Sequence, residues 1–188
     1  MVREGSVDVE ICASQQLDRF IEKDVGSVRL RIWVSKSYCS DRGEALYRWA
    51  ANRGARLSLS VLAPKVLEGR EYALMLLEDC RAFLMRGFER SVVTPIPRKP
   101  RVTLYAHSHP RAPSIPSHRD LLSAINMLSD GVYETCIVGV DGATCLYRVS
   151  YLTLEDFEKL VDLANNMKCA EDLFAWVSRC ESVKVLTL

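Results

Sequence analysis

The sequence predicts an α/β protein in which helices flank a mixed β-sheet. Short runs of alternating apolar residues, typical of strands, recur along the 188 residues and are separated by segments with helical periodicity. Hydrophobic residues make up 48% of the chain and its net charge is +1, which is typical of a globular protein with a sizeable core. This composition predicts neither a disordered chain nor a nucleic-acid-binding protein.

We interpret residues 1–188 as one domain, because no linker-like change in composition divides the chain. An alternative division gives a small α/β unit over residues 1–62 and a second domain over residues 63–188. No apolar run approaches the length of a membrane span, and the N-terminal residues lack the apolar centre of a signal peptide. We therefore expect a cytoplasmic protein that does not bind membranes.

The seven cysteines are scattered along the chain without a Cys-x-x-Cys pair. An odd number of cysteines without such spacing argues against a secreted disulfide scaffold and against a cysteine-based zinc site. We expect buried thiols, although intracellular disulfides occur in hyperthermophiles.

The first 90 residues are predicted to alternate between strands and helices, according to whether their apolar residues repeat every two or every 3.6 positions. In order, the predictions are a strand at 7–11, a helix at 17–21, a strand at 28–34, a helix at 46–50 that ends at Gly54, a strand at 57–61 and a helix at 65–90. The last helix is predicted because no β-branched residue follows Val66 within it and its apolar residues keep a helical period.

The second half has stronger local signals. Ser117 and Thr153 are good N-cap residues that precede helical patterns, and Asp141-Gly142 is typical of a hairpin turn. In order, the predictions are a proline-rich loop at 91–100, a strand at 101–107, a helix after Ser117, strands at 134–140 and 144–150, a helix after Thr153, a helix at 173–177 and a strand at 183–188.

All three histidines lie in one short stretch, from His107 to His118. His107 and His109 are two residues apart at the end of a predicted strand, where such side chains point to the same side. Three prolines lead through an extended loop to Ser117, and Asp120 falls in the first turn of the following helix. Imidazoles and carboxylates are common zinc ligands, and three protein ligands leave a position open for catalysis. The pattern therefore predicts a zinc site at His107, His109 and Asp120, although Ser117 and Asp120 alone are also typical of a helix capping box.

The order His-x-His-Pro, six residues, Ser-x-x-Asp resembles the signature of the JAMM (MPN+/JAB) zinc metalloprotease family. The match is complete at His107, His109, Pro110, Ser117 and Asp120. The resemblance implies that both histidines and the aspartate bind zinc, with a water as fourth ligand, and that the serine helps to hold the oxyanion. It also implies a JAB/MPN-like fold, with a mixed sheet and helices layered as in cytidine deaminases.

The family also uses a glutamate as general base, in a pattern like Glu-x-x-Gly near the start of the strand that follows the first helix. Glu22 is the candidate here, because Gly26 and the predicted strand from Val28 follow it, with one residue more than the pattern has. Glu78 and Glu10 stand in partly similar contexts and are alternatives. Each of these three glutamates can also be interpreted as a solvated surface carboxylate. If that holds for all three, the chain has no glutamate that acts as general base.

Two classes of function follow. The resemblance implies a zinc-dependent metallo(iso)peptidase that cleaves peptide or isopeptide bonds in protein or peptide substrates, including small ubiquitin-like modifiers and sulfur-carrier adducts. The segment between Asp120 and the strand at residue 134 is short. In this respect the chain resembles compact prokaryotic members of the family. The alternative is a non-catalytic MPN-like scaffold or partner-binding domain that keeps a zinc site. A carboxylate beside the metal of His107 and His109 distinguishes the two.

Overall fold

A computed structural model describes residues 6–10, 19–25, 28–34, 43–78, 82–94, 96–97 and 99–188, with their side chains from Gly54 onward. The strands are β1 (Ser6–Glu10), β2 (Arg19–Val25), β3 (Val28–Val34), β4 (Tyr72–Leu77), β5 (Ala82–Arg86), β6 (Val102–Ser108), β7 (Glu134–Gly139), β8 (Gly142–Arg148) and β9 (Val183–Thr187). The helices are α1 (Gly43–Val66), α2 (His118–Ser129), α3 (Leu154–Asn166) and α4 (Ala170–Val177). The α/β class with a mixed sheet is confirmed.

The first three strands form a small sheet in the order β1-β3-β2. β3 pairs in parallel with β1 and antiparallel with β2. The predicted strands at 7–11 and 28–34 agree with β1 and β3. The predicted helix at 17–21 is wrong where it overlaps β2, because pairing with β3 overrides a weak helical period in a segment that contains Phe20 and Ile21.

The other six strands form a mixed sheet in the order β5-β4-β6-β7-β8-β9. β6 and β7 are parallel, whereas the other neighbouring strands are antiparallel. Alternate residues of β4 enter different parts of the core: Leu74 and Leu76 cluster with residues of α1, whereas Ala73 and Met75 cluster with Met127 of α2. Helix α1 therefore covers one face of this sheet and α2 lies on the other.

Three predictions between residues 54 and 90 are wrong. Gly54 does not end a helix, because α1 continues to Val66 through the predicted strand at 57–61. A side chain at residue 54 would collide with Glu134, which explains the glycine inside the helix. The predicted helix at 65–90 instead contains the end of α1 and the strands β4 and β5. All six residues of β4 are buried, and a continuous apolar run of this kind does not reveal a strand by its period.

The predictions for the second half are confirmed, with shifts of a few residues. The strand β6, the N-caps at Ser117 and Thr153, the β7–β8 hairpin and β9 all form where they were expected. β8 begins two residues earlier than predicted, and α4 begins three residues earlier. Caps and tight turns are local signals, which explains why they could be recognised from the sequence.

Helix α1 also bears on the division into domains. Its C-terminal half packs against the six-stranded sheet through Leu57, Val61 and Leu62. A boundary after residue 62 would therefore cut the helix, and the interpretation of residues 1–188 as one domain stays a prediction. No helix in the described part of the chain has both the length and the apolar character needed to cross a membrane.

The cysteines differ from the expectation of buried thiols. Cys136 on β7 and Cys145 on β8 form a disulfide, because antiparallel pairing places them directly opposite each other with their Cα atoms 4.1 Å apart. Cys180 is a buried free thiol, as expected, whereas the free Cys169 is exposed.

Candidate metal centre

His107, His109 and Asp120 converge beyond the end of β6. The Nε2 atom of His107 lies 3.1 Å from Oδ1 of Asp120, and the Nε2 atom of His109 lies 3.1 Å from Oδ2 of the same carboxylate. One ligand atom from each residue lies within 4.8 Å of the other two. The three residues predicted from the sequence therefore form a group that could hold a metal ion.

The loop that returns the chain from His109 to α2 is anchored to the neighbouring hairpin. The backbone N–H of His109 donates to the carbonyl of Val138, which continues the pairing beyond the end of β6. The backbone N–H of Ser114 donates to Oδ1 of Asp141 at 2.7 Å. Gly139 permits this close approach, because a Cβ at that position would collide with the backbone of the loop. The histidines and Asp120 are thus held by the sheet rather than by the loop alone.

The start of α2 orients the carboxylate. Ser117 and Asp120 form a capping box: the backbone N–H of Ser117 donates to Oδ2 of Asp120 at 2.7 Å, and the backbone N–H of Asp120 donates to Oγ of Ser117. The serine hydroxyl accepts this bond and keeps its own hydrogen for another acceptor. Ser117 also lines the cavity at the site, so a role as helix cap and a role as donor to a substrate are compatible.

The hydrogen bonds of His109 suit a metal ligand. Its Nδ1 atom lies 3.1 Å from the carbonyl oxygen of Pro113, which can only accept, so Nδ1 carries a hydrogen and Nε2 faces Asp120. A backbone carbonyl that fixes a histidine ring in this way is a usual partner of metal-binding histidines. A lone pair on Nε2 and a carboxylate oxygen 3.1 Å away would repel each other unless a proton or a cation lies between them. Two imidazoles and one carboxylate are also a donor set of catalytic zinc sites.

The acid–base properties of the cluster reflect the same contacts. Burial favours a higher pKa for Asp120, but hydrogen bonds with His107, His109 and Ser117 outweigh burial and hold the pKa well below its usual range. Burial favours a lower pKa for His109, but the hydrogen bond and the charge of Asp120 together raise it. Without a metal, His109 therefore tends to keep a proton that a metal must displace.

Glu71 is a fourth residue at the site that the sequence analysis missed. It lies immediately before β4, which pairs antiparallel with β6 so that Ala73 is opposite His107. Residues two apart share a face of the sheet, so Glu71 and His109 lie beyond this pair on the same face. Glu71 lines the same cavity as His107, His109 and Asp120. Burial raises the pKa of Glu71, while the nearby charges of His107 and His109 oppose the shift.

Two features explain why Glu71 was missed. The predicted helix at 65–90 placed Glu71 in a helix interior. In addition, the third residue after Glu71 is Leu74, where the family pattern Glu-x-x-Gly has a glycine. Gly69, which has a φ of +71°, and the apolar run of β4 are the signals that could have marked a turn followed by a buried strand.

The other glutamates considered from the sequence lie elsewhere. Glu78 follows the far end of β4, about 20 Å from Glu71 along an extended strand, and its Oε1 accepts from the backbone N–H of Arg101. It is therefore unsuited to act at the cluster, and its expected position within a helix is wrong. Glu22 lies in β2 opposite Arg31, and Glu10 ends β1. The side chains of Glu22 and Glu10 lie outside the described residues, so the assignment of Glu22 as base stays a prediction.

The cluster opens into a cavity of about 410 Å³ between α2, the sheet and the loop after β5. Its inner wall is apolar, with Leu121, Met127 and Ile137 all buried. Its rim carries the exposed side chains of Arg90 and Arg119. A cavity of this size that combines apolar side chains with polar and charged groups is typical of sites for small ligands or peptide segments. No protein-family model matches the chain, and no match is found among the curated proteins.

Proposed function

We propose that the protein is a zinc-dependent metallo(iso)peptidase that cleaves peptide or isopeptide bonds. In this proposal His107, His109 and Asp120 hold Zn²⁺, and Glu71 is the general base. The observation that carries the proposal is the position of Glu71 in the cavity of the three donors, on the same face of the sheet. A layered arrangement with α1 on one face of a mixed sheet and α2 on the other supports the resemblance to JAB/MPN-like proteins.

The residues around the cavity have complementary roles in this proposal. Bound zinc would supply Lewis acidity and would lower the pKa of a bound water towards ~7. Glu71 accepts a proton from the attacking water and passes it to the leaving amine. Burial raises the pKa of Glu71 and so shifts it towards the operating pH, the direction that favours a general base.

Ser117 has the second role. Its hydroxyl group donates a hydrogen bond to the substrate carbonyl oxygen, where negative charge develops. Its Oγ atom continues to accept the hydrogen bond that caps α2. One such donor typically contributes ~3–4 kcal/mol to stabilisation of the transition state. The capping box keeps Asp120 oriented throughout, since the backbone N–H of Ser117 holds one of its oxygens.

A replacement of Glu71 by glutamine tests the proposal. Glu71→Gln keeps the shape of the side chain but removes its ability to accept a proton, so zinc content should be unchanged. Hydrolysis of fluorogenic peptide and isopeptide-linked substrates should fall roughly 10²-fold or more. Glu78→Gln is the matched control, because Glu78 flanks the opposite end of the same strand and is exposed.

The results separate the remaining alternatives. Full activity of Glu71→Gln would exclude Glu71 as the base, and loss of activity with retained zinc in Glu22→Gln would assign that role to Glu22. If zinc-loaded wild-type protein cleaves no peptide, isopeptide or sulfur-carrier adduct, the non-catalytic scaffold is the better interpretation.

A further inference from the structure

Two arginines, one on α2 and one in the loop after β5, line the cavity that contains the candidate metal centre. Arg119 lies in the first turn of α2, next to Asp120, and Arg90 lies in the loop that follows β5. Both side chains are exposed at the cavity. In the part of the chain that the structure describes, neither guanidinium has an ion-pair or hydrogen-bond partner. Both are therefore available to bind a ligand.

The charges at the cavity favour an anionic ligand. Asp120 and Glu71 are the carboxylates of the cavity, and Asp120 is engaged with the two histidines. With a divalent cation at the cluster, the cation and the two arginines together outweigh the two carboxylates. A cavity with an excess of one charge concentrates ligands of the opposite sign, and guanidinium groups bind carboxylates with paired, charge-assisted hydrogen bonds.

We propose that the substrate ends immediately after the scissile bond, in an apolar residue whose free α-carboxylate binds Arg90 and Arg119. This inference rests on the proposed peptidase function and narrows it to removal of a C-terminal residue. The apolar wall of Leu121, Met127 and Ile137 accepts the side chain of that residue, and the arginines at the rim hold its carboxylate. The volume of about 410 Å³ is near the lower end of ligand cavities, which suits one residue rather than a folded leaving group.

Matched peptides test the proposal. Zinc-loaded wild-type protein should cleave an N-acylated peptide that ends in leucine with a free carboxylate roughly 10- to 100-fold more efficiently than the same peptide with a C-terminal amide, because a charged hydrogen-bonding group is lost. The double variant Arg90→Gln/Arg119→Gln should raise KM much more for the acid than for the amide, which removes the preference. Arg179→Gln, at an exposed position after α4, is the control.

A binding measurement keeps this inference separate from the proposed function. Zinc-loaded Glu71→Gln should bind the acid peptide more tightly than the amide by a similar factor, and the two arginine substitutions should abolish the difference. If the acid peptide binds more tightly than the amide but the wild-type protein cleaves neither peptide, the peptidase proposal fails and the carboxylate site stands. If the acid and the amide are bound and cleaved equally, the carboxylate site is wrong and the peptidase proposal stands.

Discussion

Oδ2 of Asp120 lies 3.1 Å from Nε2 of His109, although a proline-rich loop separates the two residues in the chain. The carboxylate takes its position from the first turn of α2, and the imidazole takes its position from the backbone that extends β6. Two rigid elements therefore bring both groups together, and the carbonyl of Pro113 in the connecting loop fixes the orientation of the imidazole. Such support from neighbouring groups is what a metal site requires.

The first prediction concerns metal content. Protein purified without chelators should contain about one zinc ion per chain, and His109→Ala should remove it, because a catalytic zinc site with three protein ligands depends on each of them. Elemental analysis checks both values. His118→Ala is the control, since His118 faces the carbonyl of Ala164 at 2.7 Å and lies outside the cluster. Equal zinc in the double His107/His109 alanine variant would show that the metal is bound elsewhere.

The second prediction concerns the pH dependence of zinc affinity. The contact with Asp120 raises the pKa of His109, so the imidazole keeps its proton to a higher pH than an isolated histidine does. Zinc must displace that proton, so its affinity should fall as the pH decreases through the range around this raised pKa, which begins above the ordinary histidine value of about 6.5. Competition with a chromophoric chelator at several pH values measures the effect. The pKa of Asp120 is held low, so this carboxylate should not contribute to the fall. An affinity that stays constant over the range contradicts the assignment of His109.

The third prediction separates the two roles of Ser117. Loss of an N-cap costs ~1 kcal/mol of folding stability, whereas loss of an oxyanion donor lowers kcat by about 10²-fold or more. Ser117→Ala should therefore show a small loss of stability in denaturant and a much larger loss of kcat. Thr153→Ala is a matched control, because Thr153 caps α3 with the same kind of bond and lies outside the cavity. If both variants lose activity only in proportion to their unfolded fraction, Ser117 acts as a cap alone.

The fourth prediction concerns Glu134, which is buried against Gly54 of α1. Burial raises the pKa of this carboxyl well above its usual value. The folded protein then binds a proton that the unfolded chain releases. The contribution of Glu134 to stability should therefore be greatest below the unfolded pKa of about 4.3 and decrease as the pH rises towards the folded pKa. Glu134→Gln should raise the free energy of unfolding at neutral pH and flatten its pH dependence. Denaturant unfolding at pH 5 and pH 8, chosen to lie above that unfolded value, checks this. Glu158→Gln, on the exposed side of α3, should change neither quantity.

Local rules account for the part of the site that could be predicted. Residues two apart on a strand point to the same side, which predicted that His107 and His109 lie together. The preference of serine for N-cap positions located the first turn of α2 after Ser117, and therefore the position of Asp120. The Asp141-Gly142 pair located the β7–β8 hairpin in the same way, although Gly139 pairs with Gly142 and the two turn residues are Val140 and Asp141. Each of these features depends on residues that are close in sequence, so it could be predicted without knowledge of the tertiary structure.

Tertiary structure decided the remainder. β4 is buried, and its apolar run could belong to a strand or a buried helix until its pairing with β5 and β6 is known. The position of Glu71 depends on that pairing. Glu71 lies at the cluster because Ala73 pairs with His107, a residue that is distant from it in sequence. The disulfide of Cys136 and Cys145 likewise depends on the register of two strands. The contact between β4 and β6 joins segments that are distant in the chain, and local periodicity carries no information about which segments will meet.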